Sequence, residues 1–479
     1  MPALAFAIGY PVAASAQPAL PNLNYFGSAV VFGDFDGDGR DEMVVGEPNY
    51  AAGGESGSGA IRVYNSLPGN TSYHRLTQNT PGFPGAPGAN GKLGKTLAVG
   101  DFDHDGLDDL VVGAPGYASS GDRGAAYVLY GRSTGLQTFN RATAHGPPDA
   151  DAGAGWSDSH WGFGFSLAVG DFGGDAADDL AIGMPGRTVG GQQNAGAVFI
   201  RYGKIDEGTS AVNAQIWTQS SPGVPGNPGS FYLFGYSVAA GDISSTSYKD
   251  ELAIGIPGHD VSGKYLAGAA MVMVGTDTVL GTAGIQHIHQ DWGATHGVAE
   301  NRDSFGTSVA IGDFDDDSYA DLAVGVPDEN VDGFDYAGFV NVYFGSSTGL
   351  SATRAFSLAL NGPQADTLEY NQFFGQTLMI GDFNDNGIDD LAVGAPGDVS
   401  VTVYYGTSGG LSNSSYQYWT QAHFPIAERL GRNLAAGDFD EDGIDDLGVG
   451  QPDVEGGNVI GMEGTPAGLT RVGGFNVLQ

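Results

Sequence analysis

Residues Gly100 to Pro115 read GDFDHDGLDDLVVGAP. Carboxylates stand at Asp101, Asp103, Asp105 and Asp109 around a glycine, Gly106. The apolar run Leu110-Val111-Val112 follows at once, and Gly-Ala-Pro ends the unit. Acidic side chains at alternate positions around a glycine turn can point at one centre, the geometry a calcium ion asks for.

Outward from this stretch the same pattern returns along the whole chain. Its copies run Phe26–Pro48, Leu93–Pro115, Phe163–Pro185, Phe234–Pro257, Phe305–Pro327, Phe374–Pro396 and Leu430–Pro452, the fourth being one residue longer than its relatives. The first aspartates of their loops are Asp34, Asp101, Asp171, Asp242, Asp313, Asp382 and Asp438, spaced 56 to 71 residues apart. Such a period is too long for most solenoid repeats and suits a four-stranded unit.

Each unit reads as four strands. The first precedes the loop, as in Thr307 to Ile311; the second follows it, as in Leu322-Ala323-Val324, and ends where proline stops the ladder. A third begins after a glycine-rich turn, as in Ala125 to Tyr130 or Phe339 to Phe344. The fourth ends in Thr-Gln: Leu76-Thr77-Gln78, Trp217-Thr218-Gln219, Trp419-Thr420-Gln421. Small Ala, Gly and Val in the first two strands let backbones crowd near a propeller axis, and aromatics in the outer two fill a widening blade. The expected fold is therefore all-β, a seven-bladed β-propeller of four-stranded antiparallel blades over residues 21–479. Blade seven finds its third strand in Asn458–Met462 and its last in Phe475–Gln479, so a leader strand is not needed to complete it.

Composition agrees. Glycine numbers 81 of 479 residues, a load that long helices do not tolerate and that short strands with tight turns do. The formal net charge is -38, which disfavours nucleic acid and anionic membrane surfaces as partners. Of the 56 Asp and Glu, 32 fall in the seven loops, a density that calls for a cation among them. With no cysteine, disulfides, thiolate metal sites and thiol catalysis are excluded. No apolar run is long enough for a spanning helix, so no membrane insertion is expected. Residues 2–16, PALAFAIGYPVAASA, look like the apolar region and small-residue cleavage site of an export signal, although no Lys or Arg precedes Arg40. Residues 1–20 are expected to be a truncated signal peptide, with an apolar N-terminal strand as the alternative, and the protein to be extracellular or on the cell surface.

Phe-Gly, then Asp-x-Asp-x-Asp-Gly-x-x-Asp, then Gly-Ala-Pro, in register from Phe26 to the C-terminus, is similar to the FG-GAP repeat. That repeat builds the propeller of integrin alpha subunits and occurs in glycosylphosphatidylinositol-specific phospholipase D and in bacterial secreted proteins. The resemblance implies seven blades with calcium between the first two strands of several of them. It implies no partner.

Carried over residue by residue, the resemblance places side-chain oxygens at loop positions 1, 3, 5 and 9 and a backbone carbonyl at position 7, enough for a calcium shell when position 9 is bidentate. The second loop then offers Asp101, Asp103, Asp105, the Leu107 carbonyl and Asp109. The seventh offers Asp438, Asp440, Asp442, the Ile444 carbonyl and Asp446. In the fifth stand Asp313, Asp315, Asp317, the Tyr319 carbonyl and Asp321, with Ser318 in place of glycine. The first has Asp34, Asp36, Asp38, the Arg40 carbonyl and Glu42. The sixth, Asp382, Asn384, Asn386, the Ile388 carbonyl and Asp390, carries less charge and should bind more weakly. The loops at 171–179 and 242–251 depart from the pattern: Gly173 replaces a ligand and Ala176 the glycine, while Ser244, Thr246 and Ser247 interrupt the other. Both are expected empty, leaving about five structural Ca2+ sites.

Other constellations carry less. His287, His289, Asp291 and His296 make an imidazole cluster that could be a zinc or catalytic site, yet the segment aligns with the Thr-Gln strand of other repeats. Gly345-Ser346-Ser347-Thr348-Gly349 matches a hydrolase elbow in form, but Gly131–Gly135 and Gly406–Gly410 make it a recurring turn. Asn70-Thr71-Ser72 and Asn413-Ser414-Ser415 are glycosylation acceptor patterns. The leading expectation is a non-catalytic, monomeric binding or adhesion module for a protein or glycan, gripping through variable linkers at Ala142–His160, Asn361–Tyr370 and His287–Asp303. A hydrolase-associated or phospholipase-like enzyme is the alternative.

Overall fold

The computed structural model describes residues 24–64, 72–116, 123–138, 143–145, 162–244, 249–293, 297–360, 368–424, 430–452, 457–471 and 476–478. The leader at 1–20 lies outside these residues, as do Asn70, Thr71, Thr246, Ser247, His296 and most of the 142–160 and 361–370 linkers.

Seven four-stranded antiparallel sheets are formed, each from consecutive strands. Blade 1 is β1 (Val30–Gly33), β2 (Glu42–Gly46), β3 (Ile61–Tyr64) and β4 (Tyr73–Leu76). Blade 2 is β5 (Thr96–Gly100), β6 (Asp109–Ala114), β7 (Ala125–Leu129) and β8 (Thr143–His145). Blade 3 is β9 (Leu167–Gly170), β10 (Asp179–Met184), β11 (Ala197–Tyr202) and β12 (Ser210–Trp217). In blade 4 these are β13 (Val238–Gly241), β14 (Glu251–Ile256), β15 (Ala269–Gly275) and β16 (Leu280–Ile288). Blade 5 has β17 (Ser308–Gly312), β18 (Asp321–Val326), β19 (Phe339–Tyr343) and β20 (Ala355–Leu358). Blade 6 has β21 (Thr377–Gly381), β22 (Asp390–Ala395), β23 (Ser400–Tyr404) and β24 (Tyr416–Thr420). Blade 7 has β25 (Asn433–Gly437), β26 (Asp446–Gln451), β27 (Asn458–Met462) and β28 (Asn476–Leu478).

The ring is closed. The first strand of each blade packs on the first strand of the next, and β25 returns to β1. The seventh sheet is completed by β28, as its sequence implies. Second strands such as β6, β14 and β26 are buried along their whole length, whereas the first strands β5, β13 and β21 are partly exposed along the axis. The cores lie between blades: Phe102, Val111 and Val128 of blade 2 share one with Leu180, Ile182 and Phe199 of blade 3.

Two sequence features make the seams. The phenylalanine at loop position 2 (Phe35, Phe102, Phe172, Phe314, Phe383) is buried and fastens each loop to the core. The glycine before the closing proline meets the Phe-Gly glycine of the next blade. A Cβ on Gly46 would stand 1.9 Å from the Gly94 carbonyl oxygen, and one on Gly450 would stand 2.1 Å from that of Gly27. Side chains at these positions would hold the blades apart.

Topology gives the ring two faces. The metal-type loops and the turns after the third strands lie on one. The connections after the second strands and the linkers after the fourth lie on the other.

Candidate metal centres

Loop position 1 organises the turn. Asp101 accepts the N–H of Asp105 at 3.1 Å and of Gly106 at 2.9 Å; Asp438 accepts those of Glu441, Asp442 and Gly443 at 2.7, 3.2 and 2.9 Å. Position 6 adopts left-handed backbone in every described loop, with φ 84° at Gly106 and 69° at Ser318, which is why glycine prevails there.

Position 9 stands at the start of the second strand. Asp109 accepts the Phe102 N–H at 3.1 Å and the Gly131 N–H at 2.8 Å, so the loop, its buried phenylalanine and the third strand meet on one carboxylate. Burial foremost, with the neighbouring carboxylates adding to it, pushes Asp109, Asp321, Asp446 and Glu42 up to about 8 and Asp390 to about 7. A cation among these groups removes that penalty.

In four loops the carboxylates of positions 1, 3 and 9 converge. Oxygens of Asp34, Asp36 and Glu42 lie within 4.8 Å of one another, as do those of Asp101, Asp103 and Asp109, of Asp313, Asp315 and Asp321, and of Asp438, Asp440 and Asp446. The residues fit a hard divalent cation: the donors are all oxygen, and the buried Asp315 Oδ1 and Asp440 Oδ1 have no hydrogen-bond partner.

Position 5 stands apart from these sets. Asp105, Asp317 and Asp442 instead accept the N–H of Leu107, Tyr319 and Ile444 at 3.1, 3.1 and 3.0 Å, stiffening the turn that carries the position 7 carbonyl. Asp38 is exposed, its N–H donated to Asp34 and Asp36. Three arginines reach the acidic residues of these loops. Arg132 reaches from the turn after β7 to Asp103, at 3.2 Å, and to Asp105. Arg354 bridges Asp315 and, at 3.0 Å, Asp317. Arg40 crosses the blade 1–7 seam to Glu441 at 3.3 Å.

The sixth loop replaces charge by amide. Asn384 Nδ2 donates to both oxygens of Asp390 at 3.0 and 2.8 Å, and Asn386 Nδ2 donates to the Gly406 carbonyl at 3.0 Å. In the third loop the N–H groups of Phe172 and Gly173 take up Asp179 Oδ2 at 2.9 and 3.0 Å where a side-chain ligand is missing. In the fourth, Ser244 Oγ donates to Glu251 Oε1 at 2.6 Å.

A residue class missed in sequence stands at position 8. The Asp178 carboxylate accepts the Asp101 N–H of the preceding blade at 2.8 Å, and the Asp178 N–H donates back to the Asp101 carbonyl at 3.1 Å. Asp108 does the same to Asp34, Asp250 to Asp171, Asp389 to Asp313 and Asp445 to Asp382. At the blade 4–5 seam Ala320 stands in this place, and its N–H to the Asp242 carbonyl, at 2.9 Å, is the half that remains. The signal was the recurring Asp-Asp or Asp-Glu pair before the second strand.

The other constellations resolve differently. Ser347 is exposed in a turn closed by Ser346 Oγ on the Gly349 carbonyl at 2.6 Å, a bond repeated by Thr407 on Gly410 and Thr465 on Gly468. Asp291 accepts the Ala299 N–H at 3.0 Å. His287 and His289 are joined by His259, which sequence reading left aside. Burial, helped by the neighbouring imidazoles, lowers His259 and His287 to about 4, and burial lowers His289. Among the described residues no helix is long and apolar enough to cross a membrane.

Comparison with known proteins agrees with this geometry. The FG-GAP repeat pattern matches residues 26–64, 93–129, 163–200, 305–343 and 374–410. The chain is similar to integrin alpha-V of Gallus gallus, 32% identical over 259 residues, which are 53% of this chain and 22% of that protein. It is also similar to phosphatidylinositol-glycan-specific phospholipase D of Homo sapiens, 35% identical over 175 residues, which are 34% of this chain and 18% of that protein. Integrin alpha-PS2 of Drosophila melanogaster is 29% identical over 50% of this chain and 16% of its own length. The matches thus span about a fifth of the curated relatives. Among solved structures, a Bacillus licheniformis rhamnogalacturonan lyase aligns with a TM-score of 0.43 at 12% identity, covering 92% of this chain and 72% of that one.

Proposed function

The chain is an FG-GAP repeat protein closed into a seven-bladed propeller, and from that premise we propose that it is a calcium-stabilised, extracellular or cell-surface binding module. Bound calcium would neutralise the loop carboxylates and fix the turn between the first two strands of each blade. Asp34, Asp101, Asp313, Asp382 and Asp438 and their partners at positions 3, 5, 7 and 9 are the proposed ligands, with Asn384 and Asn386 making the sixth site weaker. The export reading of residues 1–20 and a monomeric state belong to the same proposal.

The ligand, a protein or a glycan, is proposed to sit on the face opposite the metal loops. One observation carries this. Four of the six large apolar side chains exposed among the described residues are there: Phe231, Tyr265, Val298 and Tyr370, all on connections of blades 3 to 6. Exposed large apolar side chains on loops carried by a propeller suit recognition rather than folding. Probing a protein and glycan array with calcium-loaded protein tests the reading. Binding that falls in the Tyr265→Ala and Tyr370→Ala variants supports it; specific binding that survives both places the ligand elsewhere.

A second reading, a hydrolase-associated or phospholipase-like extracellular protein, is supported by the likeness to phosphatidylinositol-glycan-specific phospholipase D. Release of a glycosylphosphatidylinositol-anchored protein by the purified chain is its test, and no release by calcium-loaded protein removes it.

A further inference from the structure

His259, His287 and His289 meet on the face opposite the metal loops, where blade 4 abuts blade 3. His287 lies in β16 and His289 one residue past its end, two residues on, so extended backbone turns both to one side. Ile288, between them, is buried in the core shared with blade 5. His259 comes from the turn after β14, held by its N–H on the Ile256 carbonyl at 3.0 Å and by the Gly268 N–H on its own carbonyl at 2.9 Å. The ring centroids of His259 and His287 are 4.9 Å apart, and those of His287 and His289 are 6.0 Å apart, both edge to face.

Ordinary polar packing does not account for the cluster. His287 Nε2 and His289 Nδ1 are buried and have no hydrogen-bond partner. A buried imidazole nitrogen without a partner is costly, and coordination is one way to satisfy it. Blade 3 roofs the group: Tyr232 packs against the His259 ring at 4.8 Å, and Gln219 Nε2 stands 3.4 Å from His259 Nδ1.

We propose that His259, His287 and His289 bind one divalent first-row transition metal ion, zinc above all, with water completing the shell. Imidazole nitrogens select such ions, whereas calcium takes oxygen, so the two faces of the ring sort metals by donor chemistry. The three rings are not drawn within 4.8 Å as the loop carboxylates are. Binding gathers them by side-chain rotation, with the strand and turn unchanged.

Equilibrium dialysis of zinc against protein held in excess calcium tests the site. One zinc per chain is expected, with affinity reduced at least about tenfold in His287→Gln and His259→Gln. Affinity should be unchanged in His74→Gln, whose histidine is exposed on β4 of blade 1. Unfolding of each variant in calcium checks that the ring is intact. Cobalt(II) loading of the unaltered protein gives a second readout that needs no variant: strong visible bands of a four-coordinate nitrogen site are expected. No stoichiometric zinc, equal loss in His74→Gln, unchanged binding in the two cluster variants, or a pale six-coordinate cobalt spectrum overturns the proposal.

Discussion

Asp178 and Asp101 belong to neighbouring blades and exchange two hydrogen bonds, side chain to backbone at 2.8 Å and backbone to backbone at 3.1 Å. Asp101 in turn closes the loop of blade 2 by accepting the N–H groups of Asp105 and Gly106. Loop geometry and blade seam are therefore one structure.

Removing that clamp should loosen both. Asp178→Ala strands the Asp101 N–H and is expected to cost about 1–3 kcal/mol. It should also weaken metal binding in blade 2, although Asp178 is outside the converging set. Asp178→Asn retains an acceptor oxygen and should recover most of the loss. Urea unfolding and calcium titration read the two effects, and an alanine variant as stable as the parent sinks the clamp.

Calcium removal should lower the melting temperature. A site filled at 100 times its dissociation constant contributes about 2.7 kcal/mol. Asp446→Asn should abolish part of the difference between calcium-loaded and chelated protein. Identical melting before and after verified metal removal contradicts a structural role.

Ser318 holds φ 69° where the first, second, sixth and seventh loops have Gly39, Gly106, Gly387 and Gly443. Ser318→Gly should therefore stabilise the protein by about 1 kcal/mol, less the backbone entropy that glycine adds to the unfolded chain. Gly443→Ser, at φ 89°, should do the reverse. Chemical denaturation of the pair decides, and a destabilised Ser318→Gly variant counts against the strain.

Glu329 and Asp303 offer a pH prediction away from the metal loops. Burial first, then nearby carboxylates, pushes Glu329 up to about 8 and Asp303 to about 7; Gln290 Nε2 donates to Glu329 at 2.5 Å. Folded values above the unfolded ones mean stabilisation that is full below the ordinary carboxylate range and lost as pH rises through 7 to 8. Calcium-saturated protein should lose on the order of 2 kcal/mol between about pH 6 and about pH 9. Glu329→Gln should flatten the profile; an unchanged slope in that variant excludes Glu329 as the source.

Much of this was legible in one dimension. The spacing from Asp34 to Asp438 counts the blades, and the alternation around Gly106 marks the residues that converge at positions 1, 3 and 9. Contacts between repeats were not legible, because a pattern aligned within each copy says nothing of what the next copy touches. That is why the pattern singles out neither Asp178 nor Arg132 and Arg354 beside their loops, nor His259, separated from His287 by a whole strand. Position 5 shows a second role that the pattern does not reveal: one oxygen of Asp105, Asp317 and Asp442 accepts an N–H of the turn itself.

The seam where Gly450 meets Gly27 bears on how the chain folds. Every sheet is made of four consecutive strands, so each blade pairs from local segments and can form in order as the polypeptide emerges. The contact of β1 with β25 joins the first blade to the last. Until it forms, blade 1 shows an apolar flank with no neighbour, and the growing arc is open to association through that flank. Circularisation, rather than any strand pairing, is then the slow and vulnerable step.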